Sequence, residues 1–218
     1  MFNDRVEAGR QLATKLLEYV GKDVLVLAIP RGGVVVGYEI AHRLKAPLDI
    51  TAPRKIGAPG NPELAIGALA EDGTLILDQR LVEYLGVSEN YIKEEVERQL
   101  HEIKRRLHMY RGDRPYPNLK GKTVIVVDDG IATGATMMAA IASIRKKGAK
   151  KIVVAIPVAP PSALNKIRSS VDQLICLYAP EPFFAVGQFY RIFDQTSDEE
   201  VISLLERNRE EIEKFHKK

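Results

Sequence analysis

The sequence predicts an α/β protein with an open, mostly parallel β-sheet and helices on both faces. Two observations predict this class. Strand and helix patterns alternate along the chain, and the strand patterns are continuous runs of β-branched residues, as expected for strands that are buried on both sides. A chain of 218 residues with 45% hydrophobic side chains can bury a sizeable core. We expect one domain, residues 1–218, with an insertion at 57–117 and a C-terminal segment at 179–218.

The first half of the chain contains helix and strand patterns in alternation. The predicted helices cover residues 6–20 and 33–43, and the predicted strands cover residues 24–29, 48–52, 65–70 and 74–77. Glu71-Asp72-Gly73 separates the last two strands and suits a hairpin turn. Residues 54–62 contain several glycines and prolines and are expected to form a loop without regular structure.

A long helix is predicted to follow the hairpin. Ser88 fits the N-cap position, and six apolar residues recur at helical spacing along one seam. The seam consists of Ile92, Val96, Leu100, Ile103, Leu107 and Tyr110. Pro115 and Pro117 end the helix because proline cannot continue its hydrogen bonds. If the seam is exposed, it favours a homodimer.

The second half of the chain repeats the alternation. Strands are predicted at 123–127, 151–156 and 173–178, and helices at 135–147 and 162–170. Ser197 and Glu200 form the pattern of a capping box, which begins a closing helix. The residues that this helix is expected to bury are Val201, Leu204, Leu205 and Ile212.

Composition excludes several classes of protein. The net charge of +3 is too small to indicate nucleic-acid binding by itself. The single cysteine, Cys176, excludes an intrachain disulfide framework and a multi-cysteine zinc site, and it is expected to be an inert thiol in a buried strand. The sequence contains no apolar run long enough to span a membrane and no signal-peptide pattern in its first ten residues. We expect a cytoplasmic protein without membrane contact.

Positive charge is concentrated in residues 98–122, where the net charge is +6. We interpret this region as the solvated side of a helix that packs on the domain or on a second subunit. Attraction of RNA or of phosphorylated ligands is the alternative. His101 and His108 lack metal-ligand spacing and are assigned no site.

The segment after the strand at 123–127 carries the strongest functional pattern. Asp128 and Asp129 are adjacent at the strand end and must repel each other, which a polyhydroxyl ligand or a divalent cation would relieve. In the alternative interpretation, one aspartate caps the next helix and the other faces solvent. Residues 133–136 are small and would let a phosphate approach the N–H groups at the helix N-terminus, with two threonine hydroxyls as further donors.

Two further turns carry cations. The first strand ends in Pro30-Arg31-Gly32-Gly33, whose glycines expose backbone N–H groups and whose guanidinium can hold an anion with two hydrogen bonds. The second strand leads into Arg54 and Lys55. Taken alone, the first turn is equally consistent with a plain strand-to-helix connection, and the second is better interpreted as a solvated basic turn.

Four aromatic residues cluster after the last predicted strand. They are Phe183, Phe184, Phe189 and Tyr190. Packing of a C-terminal loop explains such a cluster, and stacking on a flat base is the alternative.

The run from Val124 to Thr136 resembles the 5-phosphoribosyl pyrophosphate (PRPP) signature of type I phosphoribosyltransferases. That pattern is four apolar residues, two acids, two variable positions, a small residue, Thr-Gly, a small residue and Thr, and all of it matches. The turn at 29–33, the long inserted helix and the C-terminal segment extend the resemblance, with lower specificity, to most of the chain. The resemblance implies the type I phosphoribosyltransferase fold with Rossmann-like layering. Within this family, the chain resembles a subgroup of predicted phosphoribosyltransferases whose acceptor is unassigned.

The resemblance implies a role for each of these segments. Asp128 and Asp129 would contact the ribose hydroxyls of PRPP and act in catalysis, with Mg²⁺ carried by PRPP beside them. The residues implied to bind the 5′-phosphate are Thr133, Gly134, Ala135 and Thr136, and those implied to bind pyrophosphate are Arg31, Gly32, Gly33 and Arg54. Lys55 would reach the departing pyrophosphate from a flexible loop that closes over PRPP. In a hood formed by the C-terminal segment, the candidates for stacking on the acceptor are Phe183, Phe184 and Tyr190.

The implied function is transfer of the 5-phosphoribosyl group from PRPP to a nitrogen acceptor, expected to be a nucleobase, with release of pyrophosphate. The expected ligands are small molecules and Mg²⁺, not nucleic acid. Ala132 stands where hypoxanthine-guanine enzymes usually carry an aspartate, which weakens the case for a 6-oxopurine acceptor. Two alternatives stay open. One is a PRPP- or nucleotide-sensing regulator that binds RNA or DNA, and the other is a hydrolase or phosphatase of a phosphorylated sugar.

Overall fold

A computed structural model describes residues 1–216 and contains eight strands and seven α-helices over that range. The strands are β1 (Val24–Ala28), β2 (Leu48–Ile50), β3 (Arg54–Ala58), β4 (Asn61–Leu69), β5 (Leu75–Leu77), β6 (Thr123–Val127), β7 (Lys151–Val158) and β8 (Gln173–Tyr178). The helices are α1 (Arg5–Thr14), α2 (Gly32–Leu44), α3 (Gln79–Tyr84), α4 (Glu89–Arg111), α5 (Ala135–Lys146), α6 (Pro161–Arg168) and α7 (Asp198–His216). Short 3-10 helices cover Leu17–Tyr19 and Val186–Phe189.

Five strands form a parallel sheet in the order β2-β1-β6-β7-β8. Alternate residues of these strands contribute to two separate apolar cores, one on each face of the sheet. Helices α1, α2 and α7 pack on one face, and α5 and α6 pack on the other. The predicted fold class, a mostly parallel sheet with helices on both faces, is therefore confirmed.

A second, antiparallel sheet in the order β3-β4-β5 follows β2 in the chain. The predicted hairpin is confirmed, since β4 and β5 pair on either side of the turn at 70–74. The irregular loop predicted at 54–62 is wrong, because β3 pairs with β4 up to the turn at Gly60. Ile56 and Ala58 are buried beneath α4, and this burial outweighs the low strand propensity of the neighbouring glycine and proline residues.

Helix α4 covers the second sheet. Its predicted N-cap is confirmed, because the Ser88 hydroxyl accepts a hydrogen bond from the Tyr91 N–H at 3.2 Å. The apolar seam packs inside the chain, and Ile103 at its centre is fully buried against the second sheet. The seam is not exposed, so it no longer supports the expected homodimer.

The boundary of α1 differs from the prediction. The helix ends at Thr14, and a 3-10 turn then leads the chain into β1. This turn buries Leu16 and Tyr19 and leaves Leu17 and Val20 exposed. Helical periodicity alone therefore extends α1 too far.

Helix α7 begins as predicted. The Ser197 hydroxyl accepts a hydrogen bond from the Glu200 N–H at 3.1 Å, and Val201 and Leu205 are buried. Leu204 and Ile212, which are also expected in the core, are half-buried. Over residues 1–216, no helix combines the length and the apolar character needed to cross a lipid bilayer.

The half-buried Cys176 lies in β8. Burial raises the pKa of its thiol to about 11, so the thiol is protonated at neutral pH. Since the thiolate is the reactive form of cysteine, this agrees with the inert thiol expected from the sequence.

Ile103→Ala is expected to lower the free energy of unfolding by about 2–5 kcal/mol, because it leaves a cavity between α4 and the second sheet. Urea denaturation followed by circular dichroism measures this change. The matched control is Lys104→Ala at an exposed position of the same helix, which should change the free energy by less than about 0.5 kcal/mol. Equal effects of the two substitutions would contradict the packing of the seam.

Candidate functional site

Two turns meet at the carboxyl edge of the parallel sheet. Strands β1 and β6 pair in parallel with Ala28 opposite Val127, so the segments that follow both strands lie side by side. A Cβ atom at Gly32 would lie 1.9 Å from Asp129 Oδ2, and one at Gly33 would lie 3.0 Å from the Asp128 Cα. Glycine at both positions therefore lets the first turn approach the acid pair closely.

The first turn opens α2. The peptide bond between Pro30 and Arg31 is cis, and the helix begins at Gly32. The first N–H groups of a helix lack intrahelical acceptors, so this end of α2 is suited to an anion. The Arg31 side chain is half-buried, and its Nη1 lies 3.9 Å from Asp198 Oδ1.

Asp129 is paired with a cation that the sequence analysis missed. Arg5 Nε donates to Asp129 Oδ2 at 2.7 Å, and Arg5 Nη1 donates to the backbone oxygen of Asp194 at 2.7 Å. The Arg5 guanidinium also lies over the Phe193 ring, 3.9 Å from its centroid. Arg5 and Asp129 are 124 residues apart, and no local motif marks the arginine.

The N-terminal residues and the C-terminal segment are joined by backbone hydrogen bonds. Phe2 forms a parallel bridge with Tyr190, in which the Phe2 N–H donates to the Phe189 oxygen at 2.9 Å and the Arg191 N–H donates to the Phe2 oxygen at 2.9 Å. This pairing fixes the start of α1, and therefore Arg5, above the acid pair.

Tyr190 supports the acid pair rather than offering a free ring. Its hydroxyl donates to the backbone oxygen of Asp129 at 2.6 Å. The ring is only 5% exposed and packs against Phe2 and Phe193. The expectation that Tyr190 stacks on an acceptor is therefore corrected, because neighbouring rings already enclose it.

The other aromatic residues of the C-terminal segment differ in exposure. Phe184 is 83% exposed. Phe183 is half-buried and lies 5.1 Å from Phe189, measured between ring centroids. Of the three residues expected to stack on an acceptor, Phe184 has the ring that is most accessible.

Asp128 lies in a different electrostatic environment from Asp129. Its Oδ1 accepts a hydrogen bond from the Asp129 N–H at 2.8 Å. Burial, followed by repulsion from the Asp129 carboxylate, raises the pKa of Asp128 well above its usual range. The two adjacent carboxyl groups share one paired cation, Arg5, so the site holds unbalanced negative charge when both are ionised.

The predicted phosphate loop leads into α5. Gly134 is the N-cap with a φ of +83°, which favours glycine, and α5 begins at Ala135. Thr133 is exposed and Thr136 is half-buried. The loop therefore presents backbone N–H groups and hydroxyl groups at the start of a 12-residue helix.

Lys55 and Arg54 lie on β3, close to this loop. A cavity of about 340 Å³ is lined by both side chains and by Thr136. Lys55 is exposed, whereas the Arg54 guanidinium donates to the side chain of Gln99 on α4. The structure thus brings the β3 cations to the phosphate loop, although the loop predicted to carry them is a strand.

A cavity of about 390 Å³ lies away from this edge, beneath the hairpin turn. Tyr116 lies there between Arg111 and Lys147, whose charged groups are 4.3 and 3.8 Å from its ring centroid. Lys147 pairs with Glu71 at 2.7 Å, and Arg111 pairs with Asp49 at 2.7 Å. Since these charges are balanced within the chain, we assign no ligand to this cavity.

Few residues at the site can hold a metal ion. Within residues 1–216, no group of three or more His, Cys, Asp and Glu side chains is placed to hold one. Asp128 and Asp129 are the acids that follow β6 at this edge. Two carboxylates fit Mg²⁺, because this ion keeps several waters and takes other ligands from substrate phosphates.

Comparisons with known proteins agree with this arrangement. The family model described as "Phosphoribosyl transferase domain" matches residues 3–190. The Mycobacterium tuberculosis protein named "Putative phosphoribosyl transferase Rv0571c" is 45% identical over 207 residues, which are 95% of this chain and 47% of that protein. The chain therefore spans about half the length of this curated relative.

Solved structures show the same fold. The crystal structure of the protein TT1426 from Thermus thermophilus has a TM-score of 0.79 at 41% identity and covers 94% of this chain and 97% of that chain. A hypothetical protein from Neisseria gonorrhoeae, determined with bound ppGpp, has a TM-score of 0.51 at 16% identity over 96% of this chain and 95% of that chain. At that identity the second similarity concerns the fold alone.

Asp128→Asn is expected to raise the free energy of unfolding at neutral pH, because the amide keeps the Oδ1 acceptor and removes a buried, repelled charge. A raised pKa means that the folded protein ionises Asp128 less readily than the unfolded chain does. The wild type therefore loses stability as the pH rises from the ordinary value of 3.8 through the raised pKa.

The gain from Asp128→Asn should be greatest at neutral pH and should vanish under acid conditions. Urea denaturation of both proteins across this pH range measures it. Asp113→Asn, at a fully exposed carboxylate, is the control and should show little gain at any pH. A gain that does not depend on pH would contradict the raised pKa of Asp128.

Proposed function

Because the chain belongs to the family of type I phosphoribosyltransferases, we propose that it transfers the 5-phosphoribosyl group of PRPP to a nitrogen acceptor. In this reaction the bond from ribose C1 to pyrophosphate breaks, the pyrophosphate leaves with the electron pair, and a bond from C1 to nitrogen forms. The observation that carries the proposal is the meeting of the acid pair, two helix N-termini and several cations at one sheet edge.

We propose that Asp128 and Asp129 contact the ribose. Loss of pyrophosphate develops positive charge on the sugar ring, and carboxylates held beside the ring stabilise that charge. Arg5 orients the Asp129 carboxylate through a hydrogen bond, and the Tyr190 hydroxyl fixes the backbone between the acids and the C-terminal segment. Arg5 and Tyr190 therefore act as positioning residues.

The phosphate groups of PRPP would occupy the two helix N-termini. The 5′-phosphate fits the start of α5, where the proposed binding residues are Thr133, Gly134, Ala135 and Thr136. The pyrophosphate would bind at the start of α2, where the N–H groups of Gly32 and Gly33 lack intrahelical acceptors and Arg31 adds a guanidinium. Lys55 and Arg54 would contact the same leaving group from β3.

Mg²⁺ carried by PRPP would lie beside Asp128 and Asp129. When bound, it would neutralise negative charge on the pyrophosphate as the bond to C1 breaks. The repulsion between Asp128 and Asp129 that contributes to the raised pKa of Asp128 supports this assignment, because a bound cation would relieve it. The chain's own part is to orient the two carboxyl groups toward the ion and the ribose hydroxyls.

The acceptor would lie against the C-terminal segment. Phe184 supports this placement because its ring is open to solvent in the same segment as Tyr190, which contacts the acid pair. Phe183 would support it from a half-buried position. A flat nucleobase is the acceptor class that an exposed aromatic ring suits best.

The basic region at 98–122 gives no support to a nucleic-acid-binding regulator. Several of its cations are paired within the chain. The pairs are Arg98 with Glu95, Arg105 and Arg106 with Glu102, Arg111 with Asp49, and Lys122 with Asp23. These acids offset part of the positive charge, so the folded surface is less basic than the net charge of the segment indicates.

PRPP-dependent release of pyrophosphate, measured with a panel of purines, pyrimidines and amines, tests the transferase. Asp129→Asn is expected to lower kcat by about 100-fold, because it removes charge that stabilises the transition state. Asp113→Asn, at a fully exposed carboxylate, should leave kcat unchanged.

Phosphate release from ribose 5-phosphate without PRPP would instead identify a hydrolase. Failure of the wild type to bind PRPP with Mg²⁺ in calorimetry would reject the transferase.

Phe184→Ala is expected to raise the KM for the acceptor about tenfold and to leave the KM for PRPP unchanged, because base stacking on an aromatic ring is lost. The control is Tyr84→Ala, since Tyr84 is 86% exposed and lies on α3. Steady-state kinetics with the best acceptor of the panel measures both constants. If the KM for PRPP changes as much as that of the acceptor, Phe184 does not hold the acceptor.

A further inference from the structure

One face of α4 carries a stripe of polar residues that has no role in the reaction described above. Glu102, Arg106 and Tyr110 are four residues apart and so lie on the same side of the helix. Glu102 accepts hydrogen bonds from Arg106 Nε at 2.8 Å and from Arg105 Nε at 2.8 Å. The stripe lies in the C-terminal half of α4, and α4 packs on both β3 and α7.

One end of this stripe contacts a cation proposed for pyrophosphate, and the other end is linked to a second such cation through Asp198. At one end, Glu102 Oε1 lies 4.0 Å from Arg54 Nη1. At the other end, the Tyr110 hydroxyl donates to Asp198 Oδ1, and Arg31 Nη1 lies 3.9 Å from that same oxygen. Arg31 follows β1 and Arg54 follows β2, which is the neighbour of β1 in the sheet. The stripe therefore spans the distance between the two pyrophosphate cations.

Arg106 lies midway along this span. Four residues of helix rise about 6 Å, so Arg106 is about one turn from each end of the stripe. Its side chain is 33% exposed. The hydrogen bond to Glu102 uses only Nε, and the bonds described over residues 1–216 leave its two terminal nitrogens free to donate.

We propose that Arg106 binds the pyrophosphate group of PRPP, so that α4 completes the part of the site formed by Arg31 and Arg54. This inference rests on the proposed function and adds a residue to its site. A guanidinium with two free terminal nitrogens can bind phosphate oxygens through two hydrogen bonds.

The charges around the stripe favour a polyanion. Four guanidinium groups are gathered around two carboxylates. The cations are Arg31, Arg54, Arg105 and Arg106, and the anions are Glu102 and Asp198. Hydrogen bonds from Arg105 and Arg106 lower the pKa of Glu102 to about 2, so Glu102 stays ionised and holds the arginines in place. The remaining excess of positive charge suits the pyrophosphate.

A second role for Arg106 would be purely structural, as one half of a helical ion pair with Glu102. Such a pair stabilises the helix and has no preference among ligands. The two roles can be separated, because PRPP carries a pyrophosphate group and ribose 5-phosphate has the same sugar and 5′-phosphate without it.

Calorimetry of PRPP, pyrophosphate and ribose 5-phosphate binding, each with Mg²⁺, tests the proposal on the wild type, Arg106→Gln and Lys104→Gln. Arg106→Gln is expected to raise the Kd for PRPP and pyrophosphate about 10- to 100-fold and to leave the Kd for ribose 5-phosphate unchanged. Lys104→Gln removes the same charge from an exposed position of α4 and should change each Kd by less than about twofold, as expected for a screened surface charge.

Several outcomes would overturn the inference. If Arg106→Gln binds PRPP as tightly as Lys104→Gln does, or if it weakens all three ligands equally, Arg106 has a structural role. If Arg106→Gln does not fold, Arg106→Lys is used, and a PRPP affinity equal to that of the wild type rejects recognition through the guanidinium. Failure of the wild type to bind PRPP while it binds ribose 5-phosphate would reject the proposed function itself, and the inference with it.

Discussion

The close approach of two turns at the carboxyl edge of the sheet is the constraint on which the rest of the structure depends. Parallel pairing of β1 and β6 delivers both turns to one place, and Gly32 and Gly33 allow the backbone of the first to touch the acids of the second. This contact brings two carboxyl groups against the start of α2. Arg5 then pairs with the Asp129 carboxylate, and the Tyr190 hydroxyl donates a hydrogen bond to the Asp129 backbone oxygen.

Local patterns predicted the elements that depend on neighbouring residues. The run of apolar residues before Asp128 and the cap at Gly134 are properties of a dozen consecutive positions, so the strand, the loop and α5 could be placed from the sequence. Arg5 could not, because its role depends on a partner 124 residues away. The strand β3 was missed for a related reason, since the burial of Ile56 beneath α4 is decided by tertiary packing. Periodicity located the seam of α4 but contained no information on what covers it.

The basic region shows why the charge of a segment does not define a surface. Residues 98–122 carry a net charge of +6 in the sequence. In the folded chain, Arg111 pairs with Asp49 of β2 and Lys122 pairs with Asp23 before β1. These acids lie far from the basic region in sequence, so the balance emerges only when the fold brings them together.

Because Phe2 and Tyr190 form a backbone bridge, the contacts of the acid pair depend on pairing between the N-terminal residues and the C-terminal segment. Tyr190 lies 61 residues after Asp129, so during translation both acids are added to the chain before Tyr190, which bonds to Asp129 and pairs with Phe2. A nascent chain that ends just after Asp129 therefore has both acids, but it lacks the Tyr190 hydrogen bond and the bridge that fixes the start of α1. The ligand-binding edge is therefore complete only when segments that are distant in sequence have come together.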